Sequence, residues 1–430
     1  MRAHAGPALW LERSSSASAG DRYSLDPPPT IFGRSGMGLA IISIIIAFGQ
    51  RMKPVIKSLI ASTILTLTAA STFATAKPEP SGIYALVFGV NGKPTDLTDN
   101  PLLDNPNVDG FRYKMAWKAI QPTSASEYKW DQMDSQIAIA AAAGKKMGIS
   151  IAAGIATPDW VYTDAPAVYR YHMLEIDPET GESIGDQPLP WDTAYQAKWL
   201  QFVAALGARY DGNPAVSYVV LGGFMQSSPM YFVKTLDDDA AVNALAQNPP
   251  NGYPGLTTSY TDSSAAYNPA AEAIIAAFMD AFPTTPVILT LANPFPTDQG
   301  VEDQKIIKNW ALAQYPVRFG TMVSALYASP PPHDPPDPPL PYPKGFQMVC
   351  RASDAARLYL DPDPVPLPPA PIPLQDALER GVTLGGKYVE VYDDDLYPEI
   401  SQPVIATERV KLKANVYGTP AAPINLRVVK

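Results

Sequence analysis

The stretch from Val108 to Trp160 constrains the fold of this chain more than any other. Val108–Trp117 (VDGFRYKMAW) is a short apolar and aromatic run of the kind a buried strand carries. Asp131–Ala143 places apolar residues at helical spacing, and Gly144 stands where a C′ glycine ends a helix. Met147–Ala153 (MGISIAA) is a second buried-strand run, followed by the turn-rich Pro158, Asp159 and Trp160. Strand, crossover helix and strand make a βαβ unit, and such units build a parallel sheet covered by helices. Ligands of these sheets sit beyond the carboxyl ends of the strands. Those ends carry Trp117 and Lys118, then Pro158, Asp159 and Trp160.

The same alternation runs on. Eight apolar runs end in turn or polar signals: Tyr84–Val90, Gly110–Trp117, Met147–Ala153, Val216–Gly222, Pro286–Ala292, Phe319–Leu326, Gly345–Cys350 and Lys387–Tyr392. Helical periodicity separates several of them, at Ala194–Arg209, Pro269–Phe282, Val301–Gln314 and Leu374–Arg380. Eight strands alternating with helices predict an α/β fold, a (β/α)8 TIM barrel over residues 77–400 with long Pro-rich loops. An open doubly wound sheet is the alternative, but no G-x-G-x-x-G follows the first strand. The loops after the third and fourth runs, Ile155 to Pro190 and Phe224 to Asn268, are long. Many of the 47 prolines crowd SPPPHDPPDPPLPYP and DPDPVPLPPAPIP, which exclude helix and favour polyproline II. They suit rigid walls beside a cleft or surface loops without a role.

The flanks read differently. Residues 1–76 combine an irregular extension with a second start at Met52. From there Lys53 and Lys57, an apolar run from Leu59 to Ala70, and Ala74-Thr75-Ala76 supply the parts of a secretory signal peptide. Cleavage after Ala76 makes the protein secreted or cell-envelope, with no stable membrane insertion afterwards; an uncleaved anchor is the other reading. Residues 401–430 form a tail, a short helix or irregular, ending in GTPAAPINLRVVK. That ending resembles the first strand of a fibronectin type III module.

A net charge of -10 and a pI near 4.9 argue against nucleic acid, which needs a basic face. Cys350 is the only cysteine, and the histidines are His4, His172 and His333. A Cys–His nucleophile or a His-rich metal site is not supported, and no cofactor is expected.

The phrases GFRYKMAWKAIQP, EYKWDQMD, AGKKMGISIAAG, PDW and LPWDTAYQAKWLQFVAALGARYDGNPAVSYVVLGG, in this order and spacing, resemble the (β/α)8-barrel glycoside hydrolases. The likeness is to the β-galactosidase-like and cellulase-like clan, from about Ser81 to Glu399. It implies a carbohydrate partner and cleavage of an O-glycosidic bond by two carboxylates. It also implies a glutamate acid at the end of the fourth strand and a glutamate nucleophile at the end of the seventh. Carried over by position, Gln226 stands at the first, where an amide has no proton to donate but can bond a sugar hydroxyl. Phe346 to Arg351 holds no carboxylate at the second. Arg112 matches the arginine that supports the catalytic carboxylates in that clan. The chain therefore resembles the clan while departing from it at both acids, which leaves two functions open. One is a glycosidase; the other is a carbohydrate-binding pseudoenzyme or surface protein.

Glu390 is the carboxylate that the strand pattern itself singles out. In Lys387–Tyr392, Tyr388, Glu390 and Tyr392 share one face and Val389 and Val391 the other, so the polar set points inward. A buried carboxylate suits a proton donor; the competing reading is a barrel-interior salt bridge to Arg112 or Lys114. Asp394 and Asp159 are the candidate partner acids, though Asp393, Asp394 and Asp395 read equally as a solvated loop and Asp159 as a helix cap. For substrate binding, Trp117, Trp160 and Tyr392 offer rings to stack on sugars, and Asn293 ends the fifth strand with a hydrogen-bonding amide. Rings in barrel loops also serve as packing.

Overall fold

Eight parallel strands close into a barrel in which each pairs with its sequence neighbour and the last pairs with the first. They are β1 Gly82–Val87, β2 Gly110–Ala116, β3 Lys146–Ala152, β4 Val216–Val220, β5 Val287–Leu291, β6 Phe319–Val323, β7 Gln347–Cys350 and β8 Tyr388–Tyr392. Each falls within or beside one of the runs read from the sequence. The structure, a computed structural model, describes residues 75–87, 96–177, 180–224, 232–323, 347–350, 372–383 and 385–415. The chain divides after Phe73, and every described residue lies in the second unit. The extension and expected signal segment up to Ala74, Gln226, both proline tracts apart from Ile372 and Pro373, and GTPAAPINLRVVK lie outside the described residues.

Helices connect the strands on the outside. They are α1 Asp131–Ala142 before β3, α2 Thr193–Tyr210 before β4, α3 Leu236–Gln247 and α4 Ser263–Ala281 before β5, α5 Asp298–Gln314 before β6, and α6 Ile372–Thr383 before β8. Gly144 has the positive φ of 71° expected of the residue that ends α1. α4 begins ahead of Pro269, because the Asp262 side chain caps it by accepting from Ala265 N at 2.7 Å. None of the described helices is long and apolar enough to cross a membrane.

In the segment expected to be a short helix or irregular tail, α7 Gln402–Ala414 packs against β1, β8 and α6, with Ile405 and Leu412 fully buried. Arg409 grips Asp109, at the entry to β2, through Nε at 2.7 Å and Nη2 at 2.6 Å, and Lys413 adds a bond of 2.8 Å. Asp109 Oδ2 also accepts from the backbone N of Ile83 on β1 at 3.0 Å. Burial pushes the Asp109 carboxyl up, but the bonds from Arg409 and Lys413 outweigh it and hold it below the usual range.

Aromatic side chains fill the barrel interior. Tyr84, Tyr218 and Tyr388 meet with ring centroids 5.0–5.6 Å apart, against Val220, Ile288 and Met322. Space for them comes from glycines on β2 and β3. A Cβ at Gly110 would lie 2.5 Å from Tyr84 Cε1, and one at Gly148 only 2.1 Å from Tyr218 Cζ. Gly148→Ala is therefore expected to cost roughly 1–3 kcal/mol by overpacking, read as a lowered urea midpoint. Gly212→Ala, with nothing within 4 Å of the added carbon, is expected to stay within about 0.5 kcal/mol.

Candidate functional site

A single buried network occupies the barrel core. Arg112 on β2 points inward by strand alternation, and its Nη1 donates to Glu390 Oε2 at 2.6 Å. Its Nη2 donates to Ser150 Oγ on β3 at 3.2 Å. Tyr218, across the barrel on β4, donates its hydroxyl to Glu390 Oε1 at 2.7 Å. Both carboxylate oxygens are thus occupied, and Glu390 has 0% exposure. Burial, with the Glu390 carboxylate beside it, keeps the Tyr218 phenol protonated well above its ordinary range. Of the two readings open for Glu390, this geometry is that of the interior salt bridge, with Arg112 as the partner. Tyr218 and Ser150 belong to the network as well. Their inward positions follow from the alternation of VSYVV and KMGISIA, a signal carried by hydroxyl side chains rather than by acids.

The other expected residues are distributed around this core rather than gathered in it. The Asp159 side chain is 87% exposed and pairs with Arg170 at 3.1 Å, so it shares no environment with Glu390. Arg170 also lies 4.2 Å over the Tyr162 ring and 3.4 Å from Asp186, whose other oxygen is 2.7 Å from His172 Nδ1. These groups form a surface cluster on the two-stranded ribbon Arg170–His172 and Asp186–Pro188. Asp393, Asp394 and Asp395 are not a loop but open a short helical turn directly after β8. The side chain of Asp394 lies outside the described residues.

Trp117 and Trp160 are braces. Trp117 has no exposed surface and packs on Trp199 at 4.9 Å, Phe202 at 5.6 Å and Trp160 at 6.0 Å. Its Nε1 donates to Gln121 Oε1 and that of Trp160 to the Gln121 carbonyl, each at 2.8 Å. Every ring face of Trp117 is spent on protein, which ties the loops after β2 and β3 to α2. Tyr392 is nearly buried beside Leu86 at the carboxyl end of the interior. Asn293 is exposed after β5 and accepts from Gln304 Nε2 at 3.2 Å. Of the residues expected to touch a saccharide, Asn293 is the one whose described side chain is open to solvent.

Breaking the buried pair strands a charge in the core. Arg112→Met or Glu390→Gln alone is expected to lose roughly 3–5 kcal/mol. Arg112→Met combined with Glu390→Leu should recover most of it, a non-additivity that a double-mutant cycle in urea measures.

Comparison with known proteins places this architecture. Residues 98–222 match the model of the glycoside hydrolase 42 family, described as beta-galactosidase, over less than a third of the chain. No curated protein matches. The fold is shared with the catalytic domain of β-amylase from Paenibacillus polymyxa, at 12% identity and a TM-score of 0.51, over 78% of this chain and 100% of that one. A β-galactosidase from the psychrophilic Marinomonas ef1 superposes more loosely, at 14% identity and a TM-score of 0.41, over 72% of this chain and 54% of that one. The barrel and the family match agree with the resemblance to glycoside hydrolases read from the sequence.

Proposed function

We propose that this chain is a carbohydrate-binding barrel built on the glycosidase plan, in which the interior carboxylate is structural. The observation that carries this reading is the state of Glu390. It has no exposure, and each of its two oxygens accepts a hydrogen bond from within the barrel, from Arg112 and from Tyr218, so no solvent-open face of the carboxylate meets a ligand. Gln226 in place of the expected acid, and the absence of a carboxylate from Phe346 to Arg351, support the same reading. The saccharide sits at the carboxyl face, where Asn293 hydrogen-bonds its hydroxyls while Trp117 and Trp160 hold the loops from behind. The network of Arg112, Glu390 and Tyr218 is a rigid, charge-balanced base under that cleft.

The protein acts outside the cytoplasm in this reading, after loss of the segment ending at Ala76. Lys77, the next residue, is the first described residue with bonds into the barrel. Its backbone N donates to Thr284 O at 2.8 Å, and its Nζ to Asn213 O at 2.7 Å.

Hydrolysis of a panel of aryl glycosides and polysaccharides, beside saccharide binding followed by tryptophan fluorescence, tests the reading. The expected result is binding without turnover. Asn293→Ala is expected to weaken binding about fivefold, the loss of one hydrogen bond worth ~1 kcal/mol, at an unchanged Tm. Turnover that survives in the folded wild type and disappears in Glu390→Gln would replace this reading with that of an active glycosidase.

A further inference from the structure

The opposite end of the barrel holds a cavity of about 490 Å³ under the arm formed by residues 77–81. Lys77, Lys146 and Lys413 stand in its walls with Glu79 and Asp109, beside Tyr84, Ser217 and Pro214. The carboxylates at this end are already engaged: Asp109 with Arg409 and Lys413, and Glu79 with Lys387. Lys77 and Lys146 are not matched in this way. Lys77 Nζ donates to the carbonyls of Asn213 at 2.7 Å and Val216 at 3.0 Å, and Lys146 Nζ to Pro214 O at 3.1 Å. Neighbouring Lys145 likewise rests on the carbonyls of Asn105 and Val108, at 2.6 and 2.8 Å. Carbonyl oxygens hold an ammonium in place without cancelling its charge; the acid that acts on Lys77 is Asp211, whose carboxylate also accepts from the backbone N of Thr284 and Thr285.

Burial pushes the pKa of Lys77 down to about 8; Asp211 draws it back, and the nearby charge of Lys146 lowers it further. The two ammonium groups therefore feel each other across the cavity. Pro78, Pro80 and Val216 give it apolar walls, and the Ser217 hydroxyl gives a polar point. An opposite charge placed between the two lysines would relieve both the burial and the repulsion.

We propose that this cavity binds a small organic anion, with the acidic group seated between Lys77 and Lys146. Carboxylates and phosphates share the required chemistry, and the experiment separates them. The site does not depend on how the carboxyl face is read.

Thermal unfolding of the full chain is followed with inorganic phosphate and with glucuronate, each against sodium chloride at equal ionic strength. At least one is expected to raise Tm saturably by about 2 °C or more, and Lys146→Met, whose side chain is exposed, should abolish the rise. Lys77→Met should abolish it too, and in the wild type the bound anion should move the Lys77 titration, followed by NMR of its ε-carbon, upward from about 8. A rise with phosphate alone assigns a phosphate ligand, and one with glucuronate alone a carboxylate. No rise with either, or a rise that persists in Lys146→Met, overturns the proposal.

Discussion

The barrel depends on how its last strand is joined to its first. β1 lies between β2 and β8, and the pair of Arg112 and Glu390 reaches from one of these strands to the other across it. Tyr218 brings in the far wall, so the closing seam and its opposite strand share one carboxylate. A buried ion pair is seldom worth much net stability, because desolvation consumes the attraction. It does penalise any register that separates the charges. A one-residue slip of β8 would turn Glu390 outward and leave Arg112 alone in the core. The same seam is tied again at the other end, where Asp109 accepts from Ile83 on β1 and from Arg409 and Lys413 on α7. Two charged clusters thus specify closure, while the tyrosines and aliphatic side chains between them supply the buried area.

The strands were legible because a parallel strand covered on both faces must be almost continuously apolar. That is why runs as short as VSYVV and VILTL stand out between turn residues. α7 was legible as a short helix, but not as part of the barrel, for the opposite reason. Its sequence, QPVIATERVKLKA, buries Ile405, Glu408 and Leu412 and leaves most other positions charged or half-exposed. Such a helix reads as a tail until Asp109, almost three hundred residues away, is seen to hold it. Glu390 was legible as an inward carboxylate from alternation alone. Its partner on β2 could be narrowed to Arg112 or Lys114, but the choice between them is made by the register of β1 with its two neighbours.

Aromatic residues near strand ends were the least legible. Residue type marks Trp117 and Trp160 as suited to a sugar, but packing turns Trp117 inward against Trp199 and Phe202 and sets Trp160 edge-on against Trp117. The difference lies in α2, whose periodic face supplies both ring partners of Trp117, and in Gln121, whose side chain and carbonyl take the two indole N–H groups. A ring whose N–H is satisfied and whose faces are covered has finished its work as structure.

Helix direction explains why counting acids near strand ends misleads in such a barrel. The helices run opposite to the strands, so their amino ends gather at the carboxyl face and their carboxyl ends at the other. Acidic side chains are favoured at the former and basic ones at the latter. Asp131 and Asp134 open α1, Asp237, Asp238 and Asp239 open α3, and Asp298 opens α5. Arg209, Arg380, Lys411 and Lys413 stand in the last turns of α2, α6 and α7. A carboxyl face rich in aspartate is therefore what helix capping produces with or without catalysis, and Asp393 to Asp395 conform to it. Only an acid carried by a strand itself is independent of this bias. Among the described strands of the barrel that acid is Glu390, and each of its two oxygens already accepts a bond from the barrel interior.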